Sequence, residues 1–334
     1  MKIREEAYQY YFYFMQERMS IFWKRYEGKN YPFSKDAILA NNKFTNVYRA
    51  TDRVSQYLIK DVIYNEKNSN LDGEDVLLQI LLFKIFNKIE TWECLKAEFG
   101  QITVNNYDPD LISIYLSKRI KEKPIFNSAY MMTGTHKDYE IFNSKHEKWL
   151  NMVKREFIID RKFKKVINAK SLEDVYNILN SCAFLGGFLS YQYAIDFNYS
   201  NVIDFEENSF VKAGIGAIRG IKKCFEDLKS YNCEDAIRFT LDNLEKYQEK
   251  YGFTDFKNLF GRNPRLIDIQ NCFCETDKYL RVKMPELQID NVRIKQKFKK
   301  PKELYPLFFP PKWNINSKCE KICLPKNTQE LTLF

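Results

Sequence analysis

The sequence of 334 residues is poor in glycine (11), proline (10) and above all histidine, of which it has two, His136 and His146. Scarce glycine and proline beside 16% aromatic residues exclude a linker-rich or disordered chain and point to a densely packed one. Two histidines leave no histidine-bearing metal signature. No apolar run reaches the roughly 18 residues that span a bilayer. The first residues, MKIREEAYQYYF, carry charge where a signal peptide is apolar, so a cytoplasmic protein is expected, with no membrane partner. Strand-like alternation is nearly absent, which leaves an all-α fold with at most a minor hairpin.

What is there in excess is positive charge. Lysine and arginine number 53 against 44 acidic residues, a formal charge of +9, which favours a polyanionic partner, nucleic acid first and an anionic membrane surface second. Eight cysteines in a reducing compartment are thiols. Cys272 and Cys274 form C-x-C, and Cys319 and Cys323 form C-x3-C. Buried free cysteines are expected, with neither metal nor cofactor.

Helical spacing runs through EEAYQYYFYFMQERMSIFWKRYEG and stops at Gly28. It resumes between Phe44 and Ile63 after a turn at Pro32 and a cap at Ser34. GEDVLLQILLFKIFNKIETWECLKAEF predicts a buried helix with an acidic first turn. Two further helices are expected across 145–181, the second capped by Ser171, and a last one over LIDIQNCFCETDKYLRVK. The length allows two lobes or one large domain.

Four constellations can carry chemistry. In AGIGAIRG, Gly214 and Gly216 permit a tight turn whose following amides face an anion, with Arg219 adding a charged contact. Gly186 and Gly187 make a second turn, a helical hairpin able to meet backbone phosphate. On a helix, Asn46, Arg49 and Arg53 share one face, and Arg18 can join them, reading phosphate or base edges. The tail VRIKQKFKKPKE clusters six basic residues. Each has a plain structural alternative, a turn, a core aromatic cluster, salt bridges to Glu17 and Asp52, or a solvated tail, and both readings stand. Carboxylates follow the turns: Asp196, Asp204, Glu275 and Asp277, of which Asp196 sits in an aromatic stretch where burial would set its role.

The ordered strings FYFMQERMSIFWKR, FTNVYRATDRVSQYL, FNKIETWE, FNSAYMM, FLGGFLSYQYAIDFNYS, FVKAGIGAIRGIKK and LIDIQNCFCETDKYLR resemble the α-glutamyl/putrescinyl thymine pyrophosphorylase-like group. That group includes the helical domain of 5-hydroxymethyluracil DNA kinases. The resemblance covers roughly residues 5–285. It implies a fold similar to helix-hairpin-helix DNA glycosylases, two helical lobes around a DNA-binding cleft, and double-stranded DNA with modified bases as partner. In that group the glycine turn commonly reads Gly-Pro-Gly-Ala; here Ile215 replaces the proline, which costs preorganisation. The paired Cys319 and Cys323 do not make the four-cysteine set of iron–sulfur glycosylases.

On this basis residues 1–285 are expected to form one helical domain, whose lobes the sequence does not separate, and 286–334 a basic, proline-containing extension. The expected function is a monofunctional DNA glycosylase in antiviral defence, flipping out and excising a modified pyrimidine such as glucosylated hydroxymethylcytosine. Asp196 or Asp204 would stabilise the sugar cation or activate water, with Glu275 and Asp277 as alternatives. The other readings are a base-hypermodification transferase that displaces pyrophosphate from an activated 5-hydroxymethyl pyrimidine, and a non-catalytic DNA-binding module. A kinase is disfavoured because no G-x-x-x-x-G-K-[ST] loop occurs.

Overall fold

A computed structural model describes residues 1–127, 133–290, 294, 296–298 and 304–319. Most of the basic stretch 292–303 and Cys323 lie outside the described residues.

The chain is all-α apart from one two-stranded antiparallel pair, β1 (Lys2–Ile3) with β2 (Phe225–Asp227). The strands lie over 200 residues apart, so this is a closure between distant segments and not the hairpin that local sequence could signal. Helix α1 (Glu5–Tyr26) opens on Glu5 and Glu6 and closes on Lys24 and Arg25, charges that complement its dipole, and Gly28 follows with φ 69°. Helix α2 (Ala37–Asn41) is capped by Asp36, whose carboxylate accepts from the Ile38 and Leu39 amides. Ser34, the expected cap, donates to Glu17 instead.

Residues 44–63 depart from the single helix that their spacing predicts. They form an extended run, a 3-10 turn at Arg49–Thr51, helix α3 (Arg53–Tyr57) and a π-helical turn at Leu58–Ile63. The amides of Thr45, Asn46 and Arg49 donate to the carboxylates of Glu275, Asp52 and Asp268, so the backbone is held by side chains and not by helical bonds. Asn46, Arg49 and Arg53 therefore do not share one helical face.

Next come α4 (Gly73–Phe86) and α5 (Ile89–Phe99), expected as one helix. They are split at Asn87, whose left-handed backbone (φ 47°) caps α4 and whose amide oxygen accepts from Lys84. Then follow α6 (Pro109–Arg119), α7 (Lys145–Met152, opened by a Ser144/Glu147 capping box), α8 (Lys162–Ile167), α9 (Leu172–Asn180, capped by Ser171) and α10 (Gly187–Asn198). Segment 145–181 thus holds three helices where two were expected. The order ends with α11 (Ile215–Cys224), α12 (Cys233–Asp242), α13 (Leu244–Lys250), α14 (Leu266–Lys283) and α15 (Asn316–Cys319).

The chain divides into two compact units, residues 1–53 with 211–334, and residues 54–210. In the first, α14 packs on α1, α11 and α12, and Tyr11 lies on Phe273 with ring centroids 4.4 Å apart. In the second, α4 is buried nearly all round and meets α5, α8 and α10, while α9 and α10 pack as a helical hairpin. No helix among the described residues is long and apolar enough to cross a membrane.

Candidate nucleic-acid interface

Gly214 is the N-cap of α11, with φ −76° and ψ 163°, an extended conformation open to any residue. What its lack of a side chain does is leave the helix start without a side-chain cap, and no acidic residue occupies the first turn. The amides and dipole there favour an anion. Gly216 has a different task. A Cβ on it would lie 2.3 Å from Cys274 Sγ, and one on Gly220 would lie 2.0 Å from the Phe273 carbonyl oxygen. These two glycines, four apart, form the stripe that lets α11 lie directly on α14. Arg219, on the same helix, pairs with Asp290 at 3.2 Å. Lys212, just before the turn, pairs with Glu234 at 2.9 Å, and Glu234 also accepts from the Ala213 amide, which fixes the approach to the helix.

In the second unit Gly186 caps α10 in the same way, at φ −76° and ψ 168°, with no side-chain bond and no acid in the first turn. A Cβ on Gly186 meets nothing within 4 Å, while one on Gly187 would approach Tyr176 Oη to 3.1 Å. The first large residue of each helix, Phe188 or Ile215, is exposed. Each unit therefore carries a glycine-capped, amide-lined helix start with an apolar side chain beside it, a pairing suited to a phosphate and an adjoining sugar or base face.

The four carboxylates fall into two groups. Asp196, in the last turn of α10, is fully buried and pairs with Lys84 of α4 at 3.3 Å. Glu275 is buried on α14, accepting from the Thr45 amide at 3.1 Å and pairing with Lys278 at 2.5 Å. Asp277, also fully buried, is held between Lys223, at 2.9 Å, and Arg281. Asp204, in the segment after α10, is exposed.

Arg18 and Asn46 are buried too. The Arg18 guanidinium donates to the Phe44 and Thr45 carbonyls and to Asn46 Oδ1 at 2.9 Å. Burial pushes its pKa down to about 10, against the pull of Asp52, while burial raises the Asp52 carboxyl to about 6. Arg49 is buried and Arg53 exposed. Sequence reasoning missed Lys84, Lys223, Asp268 and Asn271. A signal was available: Lys84 stands alone in the apolar run LLFKIF, and Asp268, Asn271 and Glu275 recur at helical spacing along one face of α14, the face that receives segment 44–52.

Among the described residues no group of three or more histidine, cysteine or acidic side chains is placed to hold a metal ion. Cys319 is buried, its thiol donating to the Ile315 carbonyl at 3.3 Å.

The family profile described as "5-hmdU DNA kinase, helical domain" matches residues 5–289. A protein named "5-hmdU DNA kinase" from Bacillus phage SP10 is 25% identical over 305 residues, covering 87% of this chain and 47% of that protein. The chain thus spans about half the length of that relative. No solved structure matches. These matches overturn the expectation of a DNA glycosylase, a hydrolase of antiviral defence: both are named for a DNA kinase, a transferase.

Proposed function

The chain belongs to the family of the 5-hmdU DNA kinase helical domain, and from that membership we propose that it serves DNA base hypermodification. In this reading it holds duplex DNA and presents the 5-hydroxymethyl group of a pyrimidine for group transfer, in the cytoplasm. The match over residues 5–289 carries the reading. The +9 charge and the two glycine-capped helix starts support it by supplying a grip on the phosphate backbone. The α9–α10 hairpin supports a scaffold of helix-hairpin-helix type.

Gly186, Gly187, Gly214 and Arg219 belong to this grip, the glycines through the two turns and Arg219 by exchanging Asp290 for a phosphate, while Gly216 acts behind it by seating α11 on α14. Arg18, Asn46 and Arg49 act from inside by shaping segment 44–52, and Arg53 contacts the backbone directly. The target nucleotide leaves the stack, and one carboxylate takes a proton at the reacting group. Asp196, Glu275 and Asp277 are buried in ion pairs, so Asp204, the exposed one, is the proposed base. In the phosphoryl form of the reaction Asp204 takes the hydroxymethyl proton as the oxygen–phosphorus bond forms and the donor's phosphoanhydride bond breaks. A second form acts on DNA already pyrophosphorylated at that position. There an amine bonds to the methylene carbon, pyrophosphate leaves with the C–O bonding pair, and Asp204 takes the proton of the amine.

The test uses purified protein with duplex DNA bearing 5-hydroxymethyldeoxyuridine and ATP, or pyrophosphorylated DNA and an amine, followed by digestion and mass spectrometry of the nucleosides. A mass gain on the modified nucleoside that Asp204→Asn abolishes, with DNA binding retained, is the expected outcome. An unchanged nucleoside in both arms contradicts the proposal.

A further inference from the structure

Within the second unit, at the head of α8 and beside the turn that leads from α9 into α10, Lys162, Cys182 and Glu156 meet in one cluster. The Lys162 ammonium donates to Glu156 Oε2 at 2.7 Å, to the Ser181 carbonyl at 3.3 Å and to Cys182 Sγ at 3.2 Å. Three acceptors hold it in place. Glu156 is fixed in turn, its Oε1 accepting from the Tyr139 hydroxyl at 2.9 Å and from the Ala183 amide at 3.1 Å. It stands in the π-helical turn Val153–Ile159, a distortion that recurs at functional sites. The Cys182 thiol donates to the Ile178 carbonyl at 3.4 Å, which leaves a sulfur lone pair for the amine. Two residues on, Phe184 takes the left-handed backbone (φ 66°) and stacks its ring on Trp149, so the turn that carries the sulfur is pinned.

An ion pair needs only the lysine and the carboxylate. The sulfur is the additional member, a soft, oxidisable atom within one oxygen's reach of an amine. Cys182 is 6% exposed and the Lys162 side chain 13%, so a molecule as small as dioxygen can arrive while a second protein thiol cannot. Burial pushes the Cys182 thiol up to about 12, against the pull of Lys162. Burial lowers Lys162, but its hydrogen bond to Glu156 and the nearby sulfur outweigh that and hold it above its ordinary value. The resting pair is thiol and ammonium, a slow target for alkylation and disulfide exchange. What remains open to the sulfur is reaction with its own fixed neighbour.

We propose that Lys162 and Cys182 are a modification site at which dioxygen joins the two side chains through a single oxygen atom, bonded to Nζ on one side and Sγ on the other. The thiol S–H bond and two N–H bonds of the ammonium break, one S–O and one N–O bond form, and the second oxygen leaves as water. Sulfur and nitrogen each give up two electrons, and dioxygen takes all four. Of the three hydrogens released, two enter the water, and one leaves as a proton to Glu156 Oε2 and from there to solvent. The product ties the head of α8 to the α9–α10 turn and removes the charge of Lys162. Two equivalents of a dithiol return the four electrons and restore thiol and amine, again with release of water. The proposal stands on the cluster alone, independent of the group-transfer reading.

Mass spectrometry of the whole chain, freshly reduced or aged in air-saturated buffer without reductant, tests it. One oxygen in and two hydrogens out add about 14 Da. After tryptic digestion the gain is expected on a linked pair of peptides, 162–164 with 171–212, because a modified Lys162 no longer directs cleavage. Ageing under heavy-isotope dioxygen raises the gain by about 2 Da, which identifies the gas and not water as the source of the oxygen, and dithiothreitol removes it. Lys162→Arg keeps the charge without the primary amine, and Cys182→Ser keeps a hydroxyl without the sulfur. Each is expected to lose the gain completely, with far-ultraviolet circular dichroism checking that both variants fold. An aged chain that stays at its reduced mass, a gain of about 16 or 32 Da on Cys182 alone, or a loss of about 2 Da from a direct S–N bond overturns the proposal.

Discussion

Replacing Gly220 by alanine puts a methyl where the Phe273 carbonyl already is. The added Cβ would lie 2.0 Å from that oxygen, 2.8 Å from the carbonyl carbon and 3.3 Å from Cα. An unstrained carbon–oxygen contact is a little over ~3 Å, so α11 and α14 must part by about 1 Å, a gap that forfeits a quarter to a half of the dispersion along the contact. All three atoms are backbone, and no rotamer change relieves the overlap. Overpacking of this kind costs roughly 3 kcal/mol, at the upper end of its usual range, and the better helix propensity of alanine returns about 1 kcal/mol. A net loss of about 2 kcal/mol corresponds to a fall in Tm of roughly 4–8 °C. Gly216→Ala behaves differently, because the nearest atom is the Cys274 Sγ at 2.3 Å, with Cβ at an ordinary 3.4 Å. Removing that sulfur in Gly216→Ala/Cys274→Ala should restore most of what Gly216→Ala loses, a coupling absent between Gly220→Ala and Cys274→Ala. Thermal melts followed by circular dichroism read the parent, the three single variants and the two double variants. A Gly220→Ala protein at least as stable as the parent would refute the claim that this glycine sets the separation of the two helices.

Three further outcomes follow from the buried charges and the surface grip. Lys223→Met leaves Asp277 fully buried with Arg281 as its remaining ion-pair partner among the described residues, and should lower stability by about 3 kcal/mol in urea unfolding. Asp52, with its folded pKa raised to about 6, stabilises the fold only while protonated: that contribution is complete below its unfolded pKa of about 4 and is lost as pH rises through 6. Asp52→Asn should therefore flatten the urea midpoint against pH between about 4 and 7, and an unaltered slope would count against a raised pKa for this half-buried carboxyl. Arg219→Ala should weaken DNA binding and reduce the slope of log K against log salt by about 1, leaving base preference unchanged; a changed preference at constant affinity speaks against a backbone contact.

How far the sequence can be read depends on how far apart the partners are. Helices α1, α9 and α14 were legible because their apolar period, charged ends and, for α9, the Ser171 cap are local. The break between α4 and α5 was not, since the apolar run continues across it and only the left-handed Asn87 interrupts it. Segment 44–63 misled for the opposite reason: its spacing is helical, but carboxylates over 200 residues away capture its amides. The glycines of FVKAGIGAIRGIKK were conspicuous from the start, yet what Gly216 and Gly220 do depends on α14, some 50 residues on. The same distance hid the ion pairs of Asp196 and Asp277.

The central claim is that this protein acts by adding to a 5-hydroxymethyl pyrimidine in DNA and leaves the base in place. Its most direct measurement is mass spectrometry of both fractions after incubation with 5-hydroxymethyldeoxyuridine DNA and ATP, or with pyrophosphorylated DNA and an amine. The account predicts a heavier nucleoside in the digested DNA and no free base in the supernatant. Free modified base, with abasic sites in the DNA and no heavier nucleoside, would contradict it.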